Sequence, residues 1–477
     1  MENRETHCRS NGGLYARARP PECVAMRRTV LLLAPLVAAG ALFACENDSS
    51  SGAPGAFTVE AGAFDAPASD SPAPDAEPPK PAGVTVSVTR AGLPAAGISV
   101  VFHDAAGAVL QVVATGSDGK ATSTGAAPAM ASALLGGSGA VTRRHVVTWV
   151  DVKAGDVLST IDFADPTVVA QYEVSFGSFA DGGAVAYNAG SGTCGGSGDS
   201  PIAIPLSRGC LNATSSVLGI ALDVASDPIA VAYKKGIAAP STDGGVGAVT
   251  LGPWLTPSTL TVTVTNAPAG SIDALVGEFS EGATYLSRTR SFVGGETTLA
   301  FAPGFAEALE PAVLAVNATG GGTRALIKRI PPGPAVAFDF ATALPAILTG
   351  TNDWSNVARP VIAWTSASPL SGSDGGHVTL GWTDQGHEGG WTFIVPPSAT
   401  SVKAPALPAE AAAWLPTSGA FPETAGQLIF ADVDSVPSYD VFRKGAGRAL
   451  IGPGLFSGAL LPQNGTLRTT TFVVPLD

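Results

Sequence analysis

The feature that most constrains this fold is the chain's punctuation. Short apolar runs of period two recur from residue 83 to the end, and almost every one is stopped by Gly or Pro within a few residues. Val84-Thr85-Val86-Ser87-Val88-Thr89, Ile98-Ser99-Val100-Val101-Phe102-His103 and Leu110-Gln111-Val112-Val113-Ala114-Thr115 are separated by Gly92-Leu93-Pro94 and Asp104-Ala105-Ala106-Gly107. Alternation puts successive side chains on opposite faces of a strand, and Gly and Pro end it. Later segments repeat the pattern: Leu260–Thr265, Arg324–Ile330, Trp391–Pro396 and Thr470–Pro475. No long 3.6-residue period occurs, and only Pro408–Trp414 reads as a helical turn or two. The predicted class is all-β, built from tandem β-sandwiches.

Composition removes other classes. With 58 Gly and 38 Pro and only 14% charged residues, the chain is no coiled coil, and 45% apolar residues are too many for disorder throughout. A net charge of −13 repels phosphate, so nucleic acid is an unsuitable partner.

The N-terminal region carries an address. Arg27-Arg28 precedes the apolar run Thr29–Ala44, interrupted by Pro35 and ending in small residues, as in a secretory signal peptide. The run is short for a membrane span. Leu42-Phe43-Ala44-Cys45 resembles the bacterial lipobox, which implies cleavage before Cys45 and diacylation of its sulfur. Each buried methylene of such chains adds about 0.8 kcal/mol, so two or three chains hold a protein on a membrane. The resemblance implies a cell-envelope lipoprotein whose partner is the membrane, and it does not choose between inner membrane, outer membrane and cell surface. Residues 1–25 are polar, so Met26 as well as Met1 is a candidate start.

The chain then divides by composition. Residues 1–44 form the leader and signal peptide. Residues 45–82, rich in Pro, Ala, Ser and Asp, read as an unfolded tether spanning roughly 35 Å. Residues 83–165 form a first module. Its Gly92-x-Pro94-x-x-Gly97-x-x-Val100, Asp104-x-x-Gly107 and Thr115-x-x-Asp118-Gly119-x-Ala121 resemble the carboxypeptidase regulatory-like, or transthyretin-like, Ig-type domain. That family implies a stability or adhesion module without catalytic residues. Residues 166–345 hold one large β-module or two small ones, and 346–477 form a Trp-rich last module. Ile161-Asp162-Phe163 and Phe338-Asp339-Phe340 read as closing strands.

Candidate chemistry is sparse. Cys194 and Cys210 are expected to form a disulfide in an oxidising compartment. Gly190-x-Gly192-x-x-Gly195 matches a dinucleotide fingerprint, but no helical pattern succeeds it, so it reads as a loop and no cofactor is implied. His377 and His387 could meet across a hairpin, and Asp432-x-Asp434 could contribute to a calcium site. Trp354, Trp364, Trp382, Trp391 and Trp414 fill a sandwich core or, if exposed, stack on sugar rings. The expected function is non-enzymatic binding or scaffolding through the sandwiches, with an envelope protein or glycan as partner. The alternatives are glycan recognition by the Trp-rich module and a hydrolase whose acids come from distant loops.

Overall fold

Each period-two run becomes a strand close to where the pattern places it: Thr85–Arg90, Ser99–His103, Val109–Ala114, Ser258–Thr265, Gly322–Lys328, His387–Val395 and Thr466–Val474. The helical turn is a 3-10 turn, Ala409–Trp414. The structure is a computed structural model. It describes residues 83–90, 93–136, 144–162, 168–177, 179, 183–192, 194–207, 210–211, 214–281, 283–316, 322–384, 387–416, 426–446 and 461–474. Cys45 and the expected signal peptide and tether lie outside the described residues. The described strands form several sheets and no barrel, so the protein is an all-β assembly of sandwiches.

One arrangement occurs three times. Thr85–Arg90 pairs antiparallel with Lys120–Thr122 and parallel with Val157–Asp162. Ala170–Ser175 pairs antiparallel with Ile202–Leu206 and parallel with Gly245–Thr250. Ser258–Thr265 pairs antiparallel with Gly295–Phe301 and parallel with Ala335–Asp339. In each case the opening strand of a unit lies beside its closing strand. Ile161-Asp162 ends the first closing strand, and Phe338-Asp339 ends the third before a 3-10 turn at Phe340–Thr342. The strands between 166 and 345 therefore fall into two such units. The Asp118-Gly119 turn of the first unit has a steric cause. Gly119 has φ +71°, and a Cβ there would lie 2.6 Å from the Val88 carbonyl oxygen.

The first, third and last units share a single sheet, which periodicity does not reveal. Twelve strands run edge to edge: Ala283–Phe292, Ile272–Ser280, Ala308–Val316, Gly322–Lys328, Thr466–Val474, Gly426–Val433, Gly375–Asp384, His387–Val395, Arg144–Val150, Met130–Gly136, Ser99–His103 and Val109–Ala114. Two pairings join the units. Gly322–Lys328 lies antiparallel to Thr466–Phe472, and Gly389–Ile394 lies parallel to Arg144–Trp149.

Alternation along these strands feeds two cores at once. Val101, Leu134, Val146, Phe393 and Phe430 point into the core that Ile347, Ile362 and Val402 close. Their neighbours Phe102, Leu135, Val147, Ile394 and Ala431 point the opposite way, against Val86, Val88 and Leu158. The second unit keeps its own core, around Tyr172, Ile204, Val217 and Leu251. It meets the third through Leu218, Ile220, Tyr285 and Phe305, with the Tyr285 hydroxyl donating to the Ser216 carbonyl at 2.7 Å.

A short segment of the last unit locks onto the first. Ser438–Ala446 lies beside Val157–Asp162 and brings Arg443, fully buried, to within 2.8 Å of the buried Asp156 carboxylate. Arg443 also pairs with Asp440, and Lys153 meets Asp440 at 2.8 Å. The Tyr439 hydroxyl lies 2.6 Å from the Val150 carbonyl and 2.9 Å from that of Ile394, one on each side of the parallel joint. Breaking a buried ion pair from one side leaves a desolvated charge, which is the costly way to break it. Arg443→Met is expected to lower stability by about 3 kcal/mol, and the double replacement with Asp156→Asn is expected to recover most of it. Urea unfolding followed by tryptophan fluorescence checks both.

Candidate functional site: the joint between the first and last sandwiches

One cluster of the polar side chains that the fold buries lies where the first and last sandwiches meet. On one face of the long sheet, His103, Ser132, Thr148 and Trp391 stand on four successive strands. His103 Nε2 lies 2.9 Å from Ser132 Oγ, Ser132 Oγ lies 2.8 Å from Thr148 Oγ1, and Trp391 Nε1 donates to Thr148 Oγ1 at 2.8 Å. All four are fully buried. A hydrogen-bonded row is how such groups are tolerated in an apolar core. Burial pulls His103 down to about 4, so its ring is neutral.

A Ser–His contact at this distance is the spacing of nucleophile and base. Here the serine hydroxyl is spent on Thr148, no partner orients His103 Nδ1, and neither residue reaches solvent. The row acts as a weld between strands.

Around it, further groups reach across the same joint. Trp414 Nε1 donates to the Leu135 carbonyl at 2.7 Å, and Arg144 donates to the Ala413 carbonyl at 2.6 Å while its guanidinium stands 5.8 Å from the Trp414 ring. Arg359 donates to the Ala106 carbonyl, and the Ala406 amide donates to the Gly107 carbonyl. Gly107, with φ +79°, lets this contact form, because a Cβ would fall 2.8 Å from the Arg359 guanidinium. His145 Nε2 meets Thr392 Oγ1 at 2.8 Å.

The five tryptophans belong to this packing. Trp364, Trp382 and Trp391 are buried in the core of the last unit, and Trp354 and Trp414 pack against it. Trp354 stands edge-on to Trp382 at 6.1 Å, and Trp391 stacks on Phe393 at 5.4 Å. Three of the five rings are buried, and Trp354 and Trp414 are half-buried. Their hydrophobic area and, for Trp391 and Trp414, their N–H groups are taken up within the protein.

The remaining candidates separate. Cys194 and Cys210 form a disulfide. Gly190 to Gly195 is the tip of a hairpin between Ala186–Ser191 and Cys194–Ser197, which replaces the free loop the sequence suggested. His377 pairs with Ile394 and His387 with Asp384, so the two histidines stand at opposite ends of their hairpin and do not meet.

Asp432 and Asp434 share Arg468, whose Nη1 lies 2.8 and 3.0 Å from them. That guanidinium takes the place a calcium ion would need. Beside them Asp374 accepts a hydrogen bond from the Val433 amide, and burial pushes its carboxyl up to about 6. Local sequence could not flag Arg443, Asp374 or Ser132, because each gains its role from a strand far away in the chain.

No family model and no curated protein matches the chain. Among solved structures, the Bacillus anthracis TIE protein is similar at 10% identity and a TM-score of 0.15, over 55% of this chain and 50% of that one. The chain thus spans about half the length of that protein. The FN1–FN3 domains of chicken CNTN1 are similar at 11% identity and a TM-score of 0.13, over 49% of this chain and 75% of that one. No helix among the described residues is long and apolar enough to cross a membrane.

Two buried groups titrate with opposite sign. His103 is held below its ordinary 6.5, so protonation opposes folding, and stability falls as pH drops from 6.5 through about 4. Asp374 is held above its ordinary 3.8, so its protonated form favours folding, and stability rises as pH drops through about 6 toward 3.8. The two effects act over the same interval and oppose one another. Denaturation curves of the wild type are expected to change little between pH 6.5 and 4. Asp374→Asn should lose stability steadily there, and His103→Gln should gain it.

Proposed function

We propose that this chain is a lipid-anchored protein of a bacterial cell envelope, held on its membrane through Cys45, with a non-enzymatic scaffold or binding role for its sandwiches. The observation that carries the reading is the position of Cys45. It stands directly after Leu42-Phe43-Ala44, at the end of an apolar run that starts just after Arg27-Arg28. A thiolate is the side-chain nucleophile suited to taking a lipid. The charge balance favours a covalent anchor. Residues 1–44 carry six arginines and three glutamates, so the rest of the chain is more acidic still and gains nothing from anionic headgroups.

The body fits a supporting role. Several of its buried charges and hydroxyls are spent on joints between sandwiches: Arg443 on Asp156, Tyr285 on Ser216, and the His103–Trp391 row on the shared sheet. A long sheet with such welds resists bending, which suits a spacer that presents binding surfaces at a distance from a membrane.

Cys45→Ser is the direct test. Cells fed labelled palmitate are expected to label the wild-type chain and leave the variant unlabelled, with the variant shifting from the membrane to the soluble fraction. An unlabelled, uncut wild-type chain would overturn the proposal.

A further inference from the structure

Among the described residues, the long sheet stops at Val109–Ala114 with no further strand on its outer side. That strand pairs with Ser99–His103 on one side, and it is the last strand in the order of the sheet. Its sequence, Val109-Leu110-Gln111-Val112-Val113-Ala114, holds no charge and no Pro. Edge strands of monomeric proteins are ordinarily blunted by Lys, Pro or a covering segment, because an open ladder of N–H and C=O groups recruits another strand. Here the protection is a single register shift beside Leu110, while Val109, Leu110 and Val112 are 38%, 44% and 40% exposed. Gln111 is the strand's polar tie to its own sandwich: its side chain exchanges two hydrogen bonds with Thr124.

We propose that this edge pairs with the same edge of a second copy, antiparallel and about a two-fold axis, so that two long sheets become continuous. The chain itself supplies the precedent. It already builds the sheet by joining sandwiches edge to edge, once antiparallel at Gly322–Lys328 and once parallel at Gly389–Ile394. Charge restricts where two copies can approach. Two bodies of net charge −13 repel over most of their surfaces, and an uncharged strand is where they approach without setting like charges face to face. An antiparallel pairing of identical strands is self-complementary and closes at two copies. Anchoring through Cys45 would raise the local concentration of copies. That point alone rests on the proposed function.

The test uses the full chain in detergent. Val112→Cys under mild oxidation is expected to give a disulfide-linked species of twice the chain mass. The unsubstituted chain and Val224→Cys, exposed on a turn of the second unit, should not give it. Sedimentation should show a dimer that Val112→Lys weakens at least tenfold with an unchanged melting temperature, since residue 112 is exposed and its replacement leaves the core intact. The same dimer in the Cys45→Ser chain would show that pairing stands even where anchoring is removed. A monomer at every concentration, or cross-linking of Val112→Cys only to a different protein, would overturn the proposal.

Discussion

The six-residue parallel pairing of Gly389–Ile394 with Arg144–Trp149 is the constraint on which the rest of this architecture depends. Without it the first and last sandwiches would meet only through side-chain and loop contacts. With it, strands more than two hundred residues apart in the chain become neighbours in one ladder. Each residue of the joint then has a fixed face. Trp391 and Phe393 must serve the core of the last unit, and Ile394 must serve the core of the first. A slip of one residue would send each to the wrong side.

That constraint accounts for one cluster of buried polar groups. A parallel pair lacks the hairpin that usually sets register, so side chains must define it. The His103–Ser132–Thr148–Trp391 row runs across the ladder and fixes its alignment on one face. Tyr439, placed between the carbonyls of Val150 and Ile394, fixes it at the far end, and Arg443 holds Tyr439's segment against Asp156. These groups cost desolvation, and a wholly apolar joint could be as stable. Their contribution is specificity of register, which apolar contacts supply poorly.

Strand positions were readable in the sequence wherever alternation was clean and Gly or Pro closed the run, as at Thr85–Arg90 and Ser258–Thr265. The paired closing strands were readable too, from Ile161-Asp162 and Phe338-Asp339. The disulfide was legible in Cys194 and Cys210 on the expectation of an oxidising compartment. The long sheet was not readable. Gly389 and Arg144 meet through backbone hydrogen bonds, and a ladder of backbone groups leaves no residue signature. Arg443 reads as a surface charge until Asp156 is brought beside it, and Asp374 reads as a turn residue until strands far along the chain bury it. The tryptophans of the last region were ambiguous for a related reason: their number marks a large apolar area, and only the fold decides whether that area faces inward.

Amide hydrogen exchange across the joint tests the account most directly. Peptides covering residues 144–150 and 387–395 should exchange as slowly as the core strand Thr85–Arg90, and together, because one ladder opens as a unit. If these peptides exchanged within seconds while Thr85–Arg90 stayed protected, the first and last sandwiches would not share a sheet, and the account of a continuous, register-locked body would fail.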